Sequence, residues 1–270
     1  MRGYLIPLLL ILIAVAAILS ASPSLDRPWS TEQAILPTAE VKDNVATIHN
    51  IRNFSYTSAT EFTPAYYDKA FDLNKIKRVW YAMVPFPGVP GSAHTFLSFE
   101  FEGDQFLAVS VEARREQDES YNSIKGLFNN YELIYVLADE RDVIKLRTNY
   151  HKNSVYLYPT QASPEDARNL FIEILKRVNQ LANQPEFYNT ITNSCTTNIV
   201  NHINTLTPNR VPLFNLRILF PANSDKLAYK LNLLDTNLSI QDAREKYFIN
   251  HRALKYAEDS NFSLKIRATD

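Results

Sequence analysis

Chemistry in this chain of 270 residues starts from its only cysteine, Cys195. The run Thr192-Asn193-Ser194-Cys195-Thr196-Thr197 sets the thiol in the first turn of a helix expected over residues 192–206, with Ile199, Ile203 and Leu206 as its buried stripe. Unpaired N–H groups and the positive end of the helix dipole stabilise a thiolate there. The same N–H groups could hold a developing oxyanion. The competing reading is plain packing, because free cysteine is among the most buried residue types.

A thiol nucleophile needs a base within hydrogen-bond reach. The histidines are His49, His94, His151, His202 and His251. His202 shares the helix face but lies two turns away, roughly 10 Å, so the base must come from another element. His94 stands where the Pro/Gly-rich loop 85–91 enters a strand, with the short side chains of Gly91, Ser92 and Ala93 leaving room for a substrate. Ser110 and Glu112 lie on one face of the following strand by its period of two. Either could orient the imidazole as the third member of a triad, and Thr196 is a lesser support beside the thiol. Arg114 and Asn193 are candidate substrate-binding residues, Arg114 for an anionic group, with structural ion pairing as its alternative.

Several classes are excluded. One cysteine allows no intramolecular disulfide and no multi-cysteine zinc or iron–sulfur site. His49 and His251 belong to no constellation at metal-ligand spacing, and no Gly-rich phosphate loop occurs, so neither metal nor cofactor is expected. A net charge of −1 gives no basic footprint for nucleic acid. The cluster Asp139-Glu140-Arg141-Asp142 reads as a solvated loop after a strand.

The elements that must position these groups follow from the pattern. Residues 95–101 and 105–113 read as a hairpin about Glu102-Gly103-Asp104. Residues 45–57, 131–137 and 155–158 supply further strands. Residues 163–182 form the clearest helix, with Ser163 as N-cap, Pro164 at the first position and a 3.6-residue apolar period from Ala167 to Leu181. Helices are also expected over 225–234 and 239–256. The class is α+β. Residues 4–19 are an uncharged apolar run behind Arg2, describing a signal peptide or an N-terminal signal-anchor over 1–22. A linker or extended arm is expected over 23–44 and one thiol-enzyme-like domain over 45–270, including C-terminal helices within 225–257.

Taken together, the blocks Ile51-Arg52-Asn53-Phe54, Ala93-His94-Thr95-Phe96-Leu97-Ser98-Phe99 and Val109-Ser110-Val111-Glu112-Ala113-Arg114 resemble successive blocks of the Lnb-type periplasmic domain. Tyr131-Glu132-Leu133-Ile134-Tyr135, Asp139-Glu140-Arg141-Asp142, Pro185-Glu186-Phe187-Tyr188-Asn189 and Asn193-Ser194-Cys195-Thr196-Thr197 continue the likeness in order, so that it spans residues 45–235. Lnb is a bacterial lipoprotein N-acyltransferase. The resemblance implies a permuted papain-like, NlpC-type fold, an antiparallel sheet packed against a nucleophile-bearing helix and additional helices, with the histidine strand preceding that helix. It implies Cys195 as nucleophile, His94 as base, a phospholipid donor and a lipoprotein acceptor. The family wording at the nucleophile is Asn-Cys-Thr-Thr, whereas here Ser194 separates Asn193 from Cys195 or takes the place of a second Asn. The implied location is the bacterial periplasm or the outer face of the inner membrane, with attachment through the N-terminal segment if it is not cleaved. The alternatives are a cell-wall cysteine peptidase or amidase on the same fold, and a non-catalytic periplasmic binding domain.

Overall fold

A computed structural model describes residues 22–208 and 210–268. The signal or anchor assigned to residues 1–22 falls, except for Ser22, outside the described residues. Ten strands form among the described residues: β1 (Thr38–Lys42), β2 (Val45–Arg52), β3 (Ser55–Tyr56), β4 (Phe62–Thr63), β5 (Tyr66–Asp72), β6 (Ile76–Pro85), β7 (Ala93–Phe101), β8 (Gln105–Arg114), β9 (Glu132–Ala138) and β10 (Tyr156–Pro159). The main sheet runs β1-β2-β9-β8-β7-β6-β10, with β5 on β2, while β3 and β4 pair separately. Its pairings are antiparallel except for the contact of β2 with β9 at Arg52↔Ala138.

The expected hairpin is β7–β8, and Gly103 and Asp104 take the positive φ values, 72° and 58°, that its tight turn requires. The strand β6 lies in a stretch that the pattern left unassigned. All residues from Val79 to Val84 are buried, so the strand is covered on both faces and shows no alternation.

The helices are α1 (Glu140–Lys145), α2 (Pro164–Asn183), α3 (Cys195–Leu206), α4 (Leu216–Leu219), α5 (Ser224–Lys230), α6 (Ile240–Tyr247), α7 (Asn250–Lys255) and α8 (Phe262–Lys265). Ser163 caps α2 and makes a capping box with Asp166, and Ala167, Leu170, Phe171, Ile174, Leu175, Val178 and Leu181 are its buried stripe. On one face of the sheet, Leu97, Phe99, Val109 and Val111 form a core with α2 and the start of α3. On the other face Phe96, Ala108, Ile134 and Val136 pack with Val143 of α1, Ala253 of α7 and Phe262 of α8. The single helix expected over 239–256 is broken: Phe248 is extended and bridges Tyr156 of β10, and the Ile249 N–H bonds the Val155 carbonyl.

A second sequence expectation is corrected. Asp139-Glu140-Arg141-Asp142 is no solvated loop. Asp139 caps α1, while Glu140 and Asp142 are completely buried. Asp142 accepts from Arg52 Nε and Nη2 at 2.8 Å each, from the Phe54 N–H at 2.9 Å and from the Tyr56 hydroxyl at 3.1 Å. Glu140 is held by Arg267 and by the Ser98 hydroxyl. Burial is tolerated because each carboxylate is saturated with donors. Residues 23–44, expected as a linker or extended arm, lie against the domain: Trp29 and Gln33 are buried and β1 is a paired strand.

Candidate active site

The site forms where two strands part. Strand β7 pairs with β6 as far as Pro85↔Ala93, but its pairing with β8 stops at Phe96↔Ser110 although β8 continues to Arg114. The gap leaves the Thr95 N–H outside that ladder, and the N-terminus of α3 brings Cys195 to it. A tight local turn presents the thiol. Asn189 and Asn193 exchange backbone hydrogen bonds of 3.1 and 2.9 Å, and the Thr197 hydroxyl accepts from the Ser194 N–H at 2.6 Å, closing the helix start.

Burial of Cys195 disfavours its thiolate, but other groups outweigh it: a hydrogen bond from the His94 side chain, the His94 charge, the Thr95 N–H and the Thr196 hydroxyl together pull the thiol down to about 7. Thr196 Oγ1 lies 3.7 Å from Cys195 Sγ and 3.0 Å from Thr95 Oγ1.

The His94 imidazole has a further partner. His94 Nε2 is 2.7 Å from Ser110 Oγ, and the Ser110 hydroxyl donates to Glu112 Oε1 at 2.8 Å. Arg147 Nη2 donates to the same oxygen at 2.8 Å. Burial of Glu112 opposes its charge, yet Arg147, His94, Arg52 and the Ser110 hydroxyl hold the carboxyl well below the usual carboxylate range. The consequence for the histidine follows from proton counting. An ionised Glu112 only accepts, so Ser110 gives it the hydroxyl proton and accepts from His94 Nε2–H. That fixes the tautomer and leaves Nδ1 as the nitrogen available to the thiol. Glu112 itself is 3.7 Å from His94 Nε2, so Ser110 is the direct partner and Glu112 acts one bond further out.

The thiol opens on a cleft of about 340 Å³ whose walls include Ala93, Tyr121, Tyr188, Ser194 and Leu219. On the other side of the first turn of α3 lies an apolar cavity of about 270 Å³ bounded by Leu97, Leu170, Ile199, Ile203 and Leu227. Thr196 is on its wall, and Ile218 lines both spaces.

Cys195, His94, Ser110, Glu112 and Thr196 are thus brought together. Two other candidates are not. Arg114 is buried against the N-terminal arm, donating to the carbonyls of Gln33 at 2.9 Å and Ala34 at 2.8 Å and lying 4.0 Å over the Trp29 ring. It therefore pins Trp29 and holds no ligand in the cleft. Asn193 donates to the Phe187 carbonyl at 2.9 Å and accepts from Asn198 at 2.9 Å, bracing the turn before the nucleophile. His202 is buried under Tyr135, 2.6 Å away, with its pKa lowered to about 4 by burial and by Arg177. Sequence reasoning missed the Thr95 N–H and Arg147. A backbone donor carries no residue signal, and Arg147 lies in a π-helical turn, Leu146–Tyr150, that follows α1 with no pattern to mark it.

No group of three or more His, Cys, Asp or Glu among the described residues is placed to hold a metal. No helix among the described residues is long and apolar enough to cross a membrane. A family model described as the Lnb N-terminal periplasmic domain matches residues 62–222, more than half of the chain. No curated protein and no solved structure matches it.

Proposed function

The chain belongs to the Lnb N-terminal periplasmic domain family, which supports a periplasmic location, and from that premise we propose that it is a thiol enzyme performing acyl transfer or hydrolysis. The observation that carries the proposal is the thiol at the start of α3, drawn to about 7 by a histidine whose other nitrogen is tied to Ser110 and Glu112. Cys195 Sγ attacks an ester carbonyl, and its proton passes to His94 Nδ1. The S–C bond forms as the C=O becomes an oxyanion, received by N–H groups at the start of α3. On collapse the proton goes from His94 to the departing alcohol, leaving a thioester on Cys195. An amine or water then attacks the thioester, again deprotonated through His94, and the thiol is restored. Ser110, Glu112 and Arg147 are positioning residues for the imidazole.

The apolar cavity behind Thr196 favours a donor with a hydrocarbon chain, such as a phospholipid; a lipoprotein amine is the acceptor the family suggests. The order of His94 on a strand before Cys195 on a helix agrees with a permuted papain-like arrangement, which is part of the same proposal. The test is incubation with phospholipid vesicles followed by mass spectrometry of the Cys195 peptide. An acyl adduct, absent in His94→Ala, is expected. No adduct but cleavage of cell-wall peptides assigns a peptidase or amidase. A thiol unreactive toward iodoacetamide in the folded protein overturns the enzyme reading.

A further inference from the structure

We propose that the rim of the Cys195 cleft is a second membrane-contact surface, which seats the cleft mouth on an anionic lipid bilayer. The proposal does not need turnover at Cys195. Its first support is an unusual exposure of large apolar side chains around one opening. On one lip Phe214 is 100% exposed, Leu216 71% and Phe220 55%. The loop carrying the exposed Val89 packs against this lip: the Ala222 N–H donates to the Gly91 carbonyl at 3.0 Å, and a Cβ at Gly91 would lie 3.3 Å from Phe220. On the other lip Tyr121, Ile124, Phe128 and Ile191 are exposed, joined through the Thr190 N–H to the Gly126 carbonyl at 3.1 Å. Val89, Tyr121 and Ile218 all line the cleft that reaches the thiol, so both lips frame one mouth. Soluble surfaces scatter such residues singly; a contiguous set rimmed by polar groups marks an interaction surface.

The occupant is indicated by charge. The segments 86–92, 121–131, 188–195 and 210–224 contain no Asp or Glu but carry Lys125, Arg210 and Arg217, although the whole chain has net charge −1. Lys226 lies with Arg217 beside Leu216 and Phe220. The neighbouring Asp225 does not offset them, because it is buried and bound by Arg244 at 2.6 and 2.8 Å. Apolar tips among cations suit the boundary between acyl chains and anionic headgroups. The described chain begins near this end. Ser24, two residues into the described chain, donates its N–H to Glu132 Oε1 at 3.1 Å, and the adjoining Tyr131 hydroxyl bonds the Ser120 carbonyl and the Asn122 N–H of the lip.

The experiment uses the full chain with vesicles of phosphatidylcholine, with or without phosphatidylglycerol, brominated along the acyl chains. Tryptophan quenching is read in Phe214→Trp and in Leu254→Trp, an exposed apolar position on α7, against the background of Trp29 and Trp80. Quenching and a blue shift of the 214 tryptophan are expected on anionic vesicles, with none at 254. Arg217→Gln combined with Lys226→Gln lowers the docked fraction relative to the undocked roughly 30-fold, and high salt does likewise. Equal quenching at both positions, or none at 214, overturns the proposal. So does a blue shift at 214 that depends on protein concentration without lipid, which assigns the rim to a second copy of the chain. Vesicle docking that persists in Cys195→Ala, where acyl adducts cannot form, separates this result from the fate of the catalytic reading.

Discussion

Replacing His94 should move the titration of Cys195 by at least two pH units. The thiol sits at about 7 against an ordinary 9.0, although its burial alone would push it upward. Without the imidazole the Thr95 N–H and Thr196 hydroxyl remain, opposing burial, so a midpoint near or above 9 is expected for His94→Ala. At pH 7 the thiolate fraction then falls from about one half to about 1%, equivalent to about 2.7 kcal/mol. The rate falls less than the fraction. A thiolate of higher pKa is the better nucleophile, by about 6–10-fold over two units. Iodoacetamide alkylation at pH 7 should therefore slow by about 5–8-fold, and its pH midpoint is the cleaner reading. The sign is fixed: the thiolate reacts, so alkylation rises as pH rises through the midpoint. Stopped alkylation followed by mass spectrometry between pH 5 and 10 gives the curve, with circular dichroism to confirm folding and His94→Gln as a second variant of similar bulk. A midpoint that stays near 7 in both folded variants would refute the assignment of His94 as the partner of the thiol.

Three further outcomes follow from the same contacts. Glu112→Gln should cost about 2 kcal/mol in urea unfolding, because Arg147 loses its charged acceptor; since the Glu112 carboxyl is held below its ordinary 4.5, its stabilisation is present above that pH and lost as pH falls, so the acid limb of stability should flatten in the variant. Asp142→Asn should destabilise by about 3–5 kcal/mol in thermal or urea unfolding by leaving Arg52 buried without its ion pair, yet leave the alkylation midpoint of the folded fraction unchanged. Ala228→Trp, which fills the cavity behind Thr196, should suppress acyl adducts from long-chain phospholipids while leaving iodoacetamide alkylation intact; equal loss for short-chain esters would show that the cavity does not hold the chain.

Much of the scaffold was legible where one face of an element meets solvent. The period of α2 and its Ser163 cap stand in the residues themselves, as does the β7–β8 hairpin with its Gly103 turn. Strand β6 was not legible, because burial on both faces erases alternation. The break between α6 and α7 was hidden for a different reason: the pairing of Phe248 with Tyr156 of β10 spans 92 positions and has no local mark. Buried Asp142 and Glu140 look like surface residues until Arg52 and Arg267 are brought to them from distant parts of the chain.

The site divides in the same way. The amino-acid sequence by itself determined that there is one thiol, that it opens a helix, and that no histidine on that helix can serve it, because helix geometry is local. It also narrowed the histidine's orienting partner to Ser110 or Glu112, since alternate residues of a strand share a face. Only the tertiary structure decided between them, through the 2.7 Å contact of His94 with Ser110 and the charge of Arg147 behind Glu112. It also took Arg114 out of the cleft, set the Thr95 N–H where it favours the thiolate, and exposed the apolar tips near the cleft. Those outcomes depend on where strands part and loops meet, which is set by the packing of segments a hundred residues apart and leaves no period in any one of them.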